Sequence, residues 1–382
     1  MEPFSLMEKG SCLKMHRDWR AFDAERGRIM SIIDSSNAKE HSYPVYGRQF
    51  KSYRWYKPII TAVLFFGIYI GLSLLLFAGV MFAIRNEVTP DSLQSVLESI
   101  FATDYDSMDL ANAWQSVVSL GGVAVMIPAL WLASVIVRDR PFSSYSSSRG
   151  GWSSKVFWRA FPVAFVCIAL PILVDELFVQ HHIDNFQMRF TIASFAVVTV
   201  LGPLQCIAEE YIFRGLLMQT LGSWLRVPVI AVILQSVVFV LMHPYDMIGK
   251  IGIFVTGTVF AVTAWLGRGI EISSAFHICN NMTIFYLQGL NIAEISSTSD
   301  MRSLIFEIVT GVAYILIIFI ISKRTNWFSK IRKNDLAAWN KKIDEKAARK
   351  EAKKAAKAEK KAAKNEPIGE HEESAPGKHF KQ

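Results

Sequence analysis

The sequence predicts an all-α membrane protein: a polytopic bundle of about eight transmembrane helices with both termini in the cytoplasm. Three observations carry this. The 382-residue chain is 52% hydrophobic and 19% charged, where soluble domains carry about 25% charged residues. Apolar runs of roughly 20 residues, the length at which a helix crosses the bilayer core, recur through the chain. Lys and Arg are dense in alternate connecting segments and scarce in the others, as the positive-inside rule requires.

Residues 1–56 are polar and mixed in charge. They lack the short apolar core and small-residue cleavage site of a signal peptide, so they read as a cytoplasmic N-terminal segment. Spans are predicted at 58–84, 114–137, 156–179, within 190–221, and at 228–243, 248–266, 272–287 and 304–321, giving a transmembrane bundle over 57–322. The fifth is short, and Gly202-Pro203 is a place where the fourth could be divided.

The charges orient the bundle. Arg48, Lys51, Arg54 and Lys57 precede the first span. The next segment holds Glu87, Asp91, Glu98, Asp104, Asp106 and Asp109 against Arg85. Arg138, Arg140, Arg149 and Lys155 follow the second span, and Lys323, Arg324, Lys330, Arg332 and Lys333 follow the last. An even number of spans with cytoplasmic termini satisfies all four segments. The expected location is the plasma membrane, with lipid as the surrounding partner.

The net charge of +8 belongs to the tail, 323–382. Residues 323–364 hold sixteen Lys or Arg and five Asp or Glu, so the rest of the chain is slightly acidic. Ala, Lys and Glu are strong helix formers, and this stretch reads as a solvated helix or a disordered arm. Anionic lipid headgroups are the partner such an arm would take, at about 1 kcal/mol per basic residue. No aromatic or motif context points to nucleic acid. Residues 366–382 read as disordered. Cys12, Cys167, Cys206 and Cys279 stand singly, which supports neither a zinc knuckle nor a disulfide framework. There is no internal repeat, Gly-rich phosphate loop or nucleotide fingerprint.

The chemistry concentrates in Ile207-Ala208-Glu209-Glu210-Tyr211-Ile212-Phe213-Arg214, two carboxylates and a guanidinium within an apolar run. Ionisable groups inside a membrane are costly unless paired or used. On a helix Glu210 and Arg214 face each other at i, i+4, acid before base, and form an ion pair that fixes packing. Glu209 points about 100° away and lacks that partner. Phe239 and His243 lie four residues apart at the end of the fifth helix, and His277 and Asn281 share a face of the seventh. Glu209 and His243 each lie about seventeen residues from the intervening turn, so a common rise of about 1.5 Å per residue brings them to one depth. His277 and Asn281 fall about a turn lower, within reach of helix tilt. Asp175-Glu176 and His181-His182, at a helix end, read as solvated.

A carboxylate beside imidazoles in a low-dielectric cavity is suited to activating water. A His N–H and an Asn amide on one face would stabilise the oxyanion formed by attack on an amide. Alternatively Glu209, His243 and His277 would hold a divalent metal such as zinc, although no His-Glu-x-x-His helix is present. The residues leave both open. They also leave room for a non-enzymatic membrane scaffold that binds a peptide or partner, and for an ion-coupled transporter. A transporter predicts related halves with interrupted helices, and only Gly202-Pro203 marks an interruption.

Glu209-Glu210-x-x-x-Arg214, Phe239-x-x-x-His243 and His277-x-x-x-Asn281 together resemble the three ordered motifs of the CPBP intramembrane proteases. That family includes the type II CAAX prenyl endopeptidases and bacterial relatives linked to bacteriocin processing or immunity. The resemblance covers about residues 190–290 and every motif residue fits. It implies an eight-helix bundle with a polar cavity reached laterally or from the cytoplasm. It further implies an endopeptidase acting on a membrane-associated or prenylated-type peptide or protein. Glu209 would be the water-activating base, assisted by His243, with His277 and Asn281 stabilising the oxyanion. Glu210, Arg214 and Phe239 would support them, and both metal-dependent and glutamate-dependent hydrolysis are compatible with the resemblance.

Overall fold

A computed structural model describes residues 42–86, 109–294, 296–328 and 334–365, with side chains as far as 361. Residues 87–108 of the acidic segment after the first span, residues 1–41, Lys330, Arg332, Lys333 and the stretch 366–382 lie outside the described residues. The described chain is helical throughout, without a strand; one isolated bridge joins Ser147 to Gly269. Its long helices are α1 (Lys57–Ile84), α2 (Ala113–Val137), α3 (Ser154–Val179) and α4 (Ile192–Leu225). They are followed by α5 (Pro228–Leu241), α6 (Met247–Leu266), α7 (Glu271–Gly289), α8 (Met301–Arg324) and α9 (Asp335–Asn365).

Helices α1 to α8 stand at all eight predicted places, and six of them are long and apolar enough to cross a membrane. The other two depart for physical reasons. Helix α5 has only 14 residues and stops at Leu241, which puts His243 in the following turn rather than on the helix. Pro244 explains the early stop, because the residue before a proline is steered away from helical backbone. Helix α7 is too polar, carrying Ser273, Ser274, His277, Asn280 and Asn281, and it is enclosed instead: residues 271–279 are all buried. It packs against α3, α4 and α6, while α6 also contacts α5 and α8.

Helix α4 runs unbroken through Gly202-Pro203 for 34 residues. Gly202 serves close packing instead, since a Cβ there would sit 2.5 Å from Met282 Sδ on α7. The interruption expected of a transporter is thus absent from α4. Directly after the Glu209–Glu210 pair the helix widens into a π segment, Tyr211–Met218. Such bulges are rare and gather at functional sites.

Arg140 and Arg149, counted as orienting charges, are in fact buried in the fold. Arg140 donates to Gln219 Oε1 at 2.7 Å and lies 3.9 Å over the Tyr145 ring. Arg149 pairs with Glu271 at 2.6 Å, which ties segment 138–153 to the start of α7. Burial pushes the Tyr145 phenol up to about 12, against the opposing pull of Arg140. The tail does form a helix, α9, whose first turns dock on the N-terminal segment. Leu336 and Trp339 pack on Tyr46 and Phe50, and Lys51 pairs with Asp344 at 2.6 Å. Beyond Asp344 nearly every described residue is exposed.

Candidate active site

The site is built where two polar stripes of i, i+4 spacing face each other across the α4–α7 contact. Helix α4 carries Gln205 and Glu209 on one line and Glu210 and Arg214 on the next, while α7 carries Ser273, His277 and Asn281. Glu210 is the hub. It accepts from Arg214 Nη1 at 2.9 Å and from Ser273 Oγ at 2.6 Å, and its Oε1 lies 3.1 Å from His277 Nδ1. A carboxylate only accepts, so this contact fixes Nδ1 as a proton-bearing nitrogen and turns Nε2 toward Glu209 and Asn281.

Arg214 is fully buried. It donates to the Gly257 carbonyl at 3.2 Å and lies 4.5 Å over Phe239 and 4.8 Å over Phe260. Phe260 also stacks on His277 at 4.6 Å. The aromatic rings therefore hold both the guanidinium and the imidazole, and Phe239 takes part from the Arg214 side.

Glu209 has partners after all. Gln205 Nε2 donates to its Oε1 at 2.5 Å, and its Oε2 lies 3.7 Å from His277 Nε2. Asn281 Nδ2 is 3.3 Å from His277 Nε2 and 3.4 Å from Gln205 Oε1, which closes a ring of four side chains. His243 sits against Phe239 with ring centroids 4.3 Å apart, and its Nδ1 donates to the Phe239 carbonyl at 2.6 Å. That bond leaves Nε2 as its lone-pair nitrogen.

Glu209, His243, His277 and Asn281 all line one cavity of about 840 Å³. Its walls continue past Asn280 and Phe306 to Asp175, Glu176, Glu294 and Arg302. No residue of the basic segment 138–153 lines it, so the cavity runs toward the end of the bundle opposite the basic loops. Asp175 and Glu176, expected to be solvated, belong to its mouth. Asp175 pairs with Arg302, and Glu176 lies 2.7 Å from His182.

Gln205 and Ser273 escaped the reading of the sequence, although each had a signal: a polar side chain one turn before Glu209 or His277, on the same face. Phe260 and Gly257 had none, because they arrive from α6 through tertiary packing. Among the described residues no group of three or more His, Cys, Asp or Glu is placed to hold a metal ion.

Comparisons with known proteins place this geometry. Residues 190–283 match the family described as Type II CAAX prenyl endopeptidase Rce1-like. A curated relative, the uncharacterized protein YyaK of Bacillus subtilis (strain 168), is 31% identical over 170 residues. That match covers 41% of this chain and 55% of the relative, so the chain spans about half of the relative's length. No solved structure matches. The glutamates, His243, His277 and Asn281 thus all lie within residues 190–283, the stretch that matches the Rce1-like type II CAAX prenyl endopeptidase family.

Proposed function

We propose that this protein is an intramembrane endopeptidase in which Glu209 activates the hydrolytic water. The observation that carries the reading is the position of Glu209. Its carboxylate faces a cavity of about 840 Å³, held by Gln205 on one oxygen and facing His277 with the other. Water bound there loses a proton to Glu209 as its oxygen attacks the carbonyl carbon of the scissile amide. The carbonyl oxygen becomes an oxyanion and accepts from the Asn281 amide, with His277 Nε2 as a second donor when that nitrogen carries a proton. Glu210 keeps the imidazole aligned, and Arg214 supplies the counter-charge to the adjacent pair of carboxylates. When the tetrahedral intermediate collapses, the C–N bond breaks and the amine leaves with a proton returned by Glu209 or passed through His243.

The substrate class is a peptide or protein held in or at the membrane, which is what a cavity walled by the bundle's helices can admit. Whether it carries a prenyl group is a property of the substrate that the cavity alone does not specify. The domain order we propose is an N-terminal segment over 1–56, the bundle over 57–322 with the protease core at about 190–290, and the tail 323–382 lying along anionic lipid. The chain resides in the plasma membrane.

Glu209→Gln tests the reading: it keeps the shape and the Gln205 contact but removes the base. Cleavage of a membrane-anchored peptide should fall by at least about a hundredfold, the size of a general-base contribution, with an unchanged unfolding midpoint. Cleavage at the wild-type rate would overturn it.

A further inference from the structure

The cavity holds a second carboxylate that the chemistry above does not use. Glu307 sits in the second turn of α8, outside the matched stretch, and lines the same cavity as Glu209, His243 and His277. Its Oε2 is buried and meets no hydrogen-bond partner. The basic residue nearest in the helix, Arg302, is taken by Asp175. On α6 opposite, Gly252 leaves the space that the carboxylate fills: a Cβ there would run into Oε2 and come within 3.0 Å of Cδ and 3.2 Å of Oε1. The group is housed, but no cation among the described residues is paired with it.

An isolated carboxylate in an apolar bundle is costly. Where carboxylates serve packing in this fold they are paired, as Glu210 is with Arg214 and Glu271 with Arg149. Glu307 has no such cation among the described residues. Tyr245, in the turn after α5, is pushed up to about 12 by burial first and then by the charges of Glu307 and Glu209. Tyr245 lines the same cavity as Glu209 and Glu307, so the two carboxylates border one continuous space. Glu176 and Glu294 add acidic side chains toward the mouth, where Arg302 is already paired with Asp175, and an excess of one sign in a cleft concentrates ligands of the other.

We infer that Glu307 is a specificity residue of this cavity and receives a cationic side chain, Lys or Arg, of the peptide substrate near the bond to be cleaved. The inference rests on the peptidase reading for the nature of the ligand. A Lys or Arg entering the cavity completes an ion pair for which the fold provides only the acidic half. A neutral side chain in the same place leaves the carboxylate desolvated and unpaired, so discrimination arises from both sides.

The test measures binding, with turnover stopped by Glu209→Gln, on the full chain in lipid discs. The probes are three fluorescent membrane-anchored peptides that differ only in carrying one Lys, one norleucine or one Glu. The Lys peptide should bind at least about tenfold more tightly. That preference should vanish in Glu209→Gln/Glu307→Gln and turn toward a Glu-containing peptide with Glu307→Lys. Gly252→Ala, which displaces the carboxylate while keeping its charge, should weaken the preference and serves as the second variant. Equal affinity for Lys and norleucine peptides, or a Lys preference that survives Glu307→Gln, overturns the inference. Because binding is read without cleavage, failure of the peptidase reading leaves this result intact, and the reverse also holds.

Discussion

Removing Arg214 without its partner tests how the site is held. In Arg214→Met the side chain keeps much of its apolar length, but Glu210, whose side chain is wholly buried, loses its counter-charge. Breaking a buried ion pair from one side costs about 3–5 kcal/mol, because the remaining charge is left uncompensated. The hydrogen bond to Gly257 adds about 1 kcal/mol, and the guanidinium's places over Phe239 and Phe260 are lost as well. Ser273 and His277 still donate to Glu210 and offset part of this. A loss of about 3–5 kcal/mol is therefore expected. Glu210→Gln should cost a similar amount by stranding the guanidinium. The double variant should cost less than the sum of the two, with a coupling of at least about 2 kcal/mol, since residues in one network are not additive. Reversible unfolding of the four proteins in the same detergent gives the cycle. A single-variant cost within about 0.5 kcal/mol, as at an ordinary surface site, or strict additivity, would refute the reasoning.

Four further outcomes follow from other parts of the molecule. Gln205→Leu removes the donor that orients Glu209, and the rate of cleavage at saturating substrate should fall about 10- to 100-fold with KM little changed, as expected when a positioned general base loses its alignment. Gly215→Ala places a Cβ 2.7 Å from the buried Tyr145 carbonyl and should destabilise by about 1–3 kcal/mol, whereas Gly67→Ala, which meets nothing within 4 Å, should be neutral or better by unfolding midpoint. Asp300 caps α8 through Ser303, whose N–H and O–H hold its carboxyl below the usual range. That contribution is present above the unfolded-state value and is lost as pH falls through the folded one, so the protection of the Ser303 and Leu304 amides, corrected for the intrinsic pH dependence of exchange, should fall only on acidification. A strong chelator should leave cleavage intact if the side chains alone activate water, and loss of activity restored by zinc would contradict this.

The bundle was legible because each span is a long apolar run, and the site because charged groups are conspicuous within such runs. Glu210 with Arg214 followed from helical spacing alone. The part of Glu210 in orienting His277 did not, since it depends on how α7 leans against α4. Glu209 looked unpartnered for the opposite reason: Gln205 was overlooked although it lies on the same face one turn earlier. Helix α7 read as a membrane span because its residues are moderately apolar, but its serines and asparagines belong to a helix largely enclosed by protein. Glu307 was passed over inside the eighth span as one acid in 24 residues. Only its place in the cavity and the glycine opposite make it informative. The access route also needed three dimensions, because the walls of the cavity come from six or more separate helices whose relative depth no local pattern encodes.

The central claim is tested most directly by mass spectrometry of membrane-anchored peptides after incubation with the purified full chain in lipid discs. Wild type should produce a matched pair of fragments from a single hydrolysed bond, their masses summing to the peptide plus one water, and Glu209→Gln, folded to the same midpoint, should produce none. The same fragments from Glu209→Gln at an undiminished rate would contradict the assignment of Glu209 as the base.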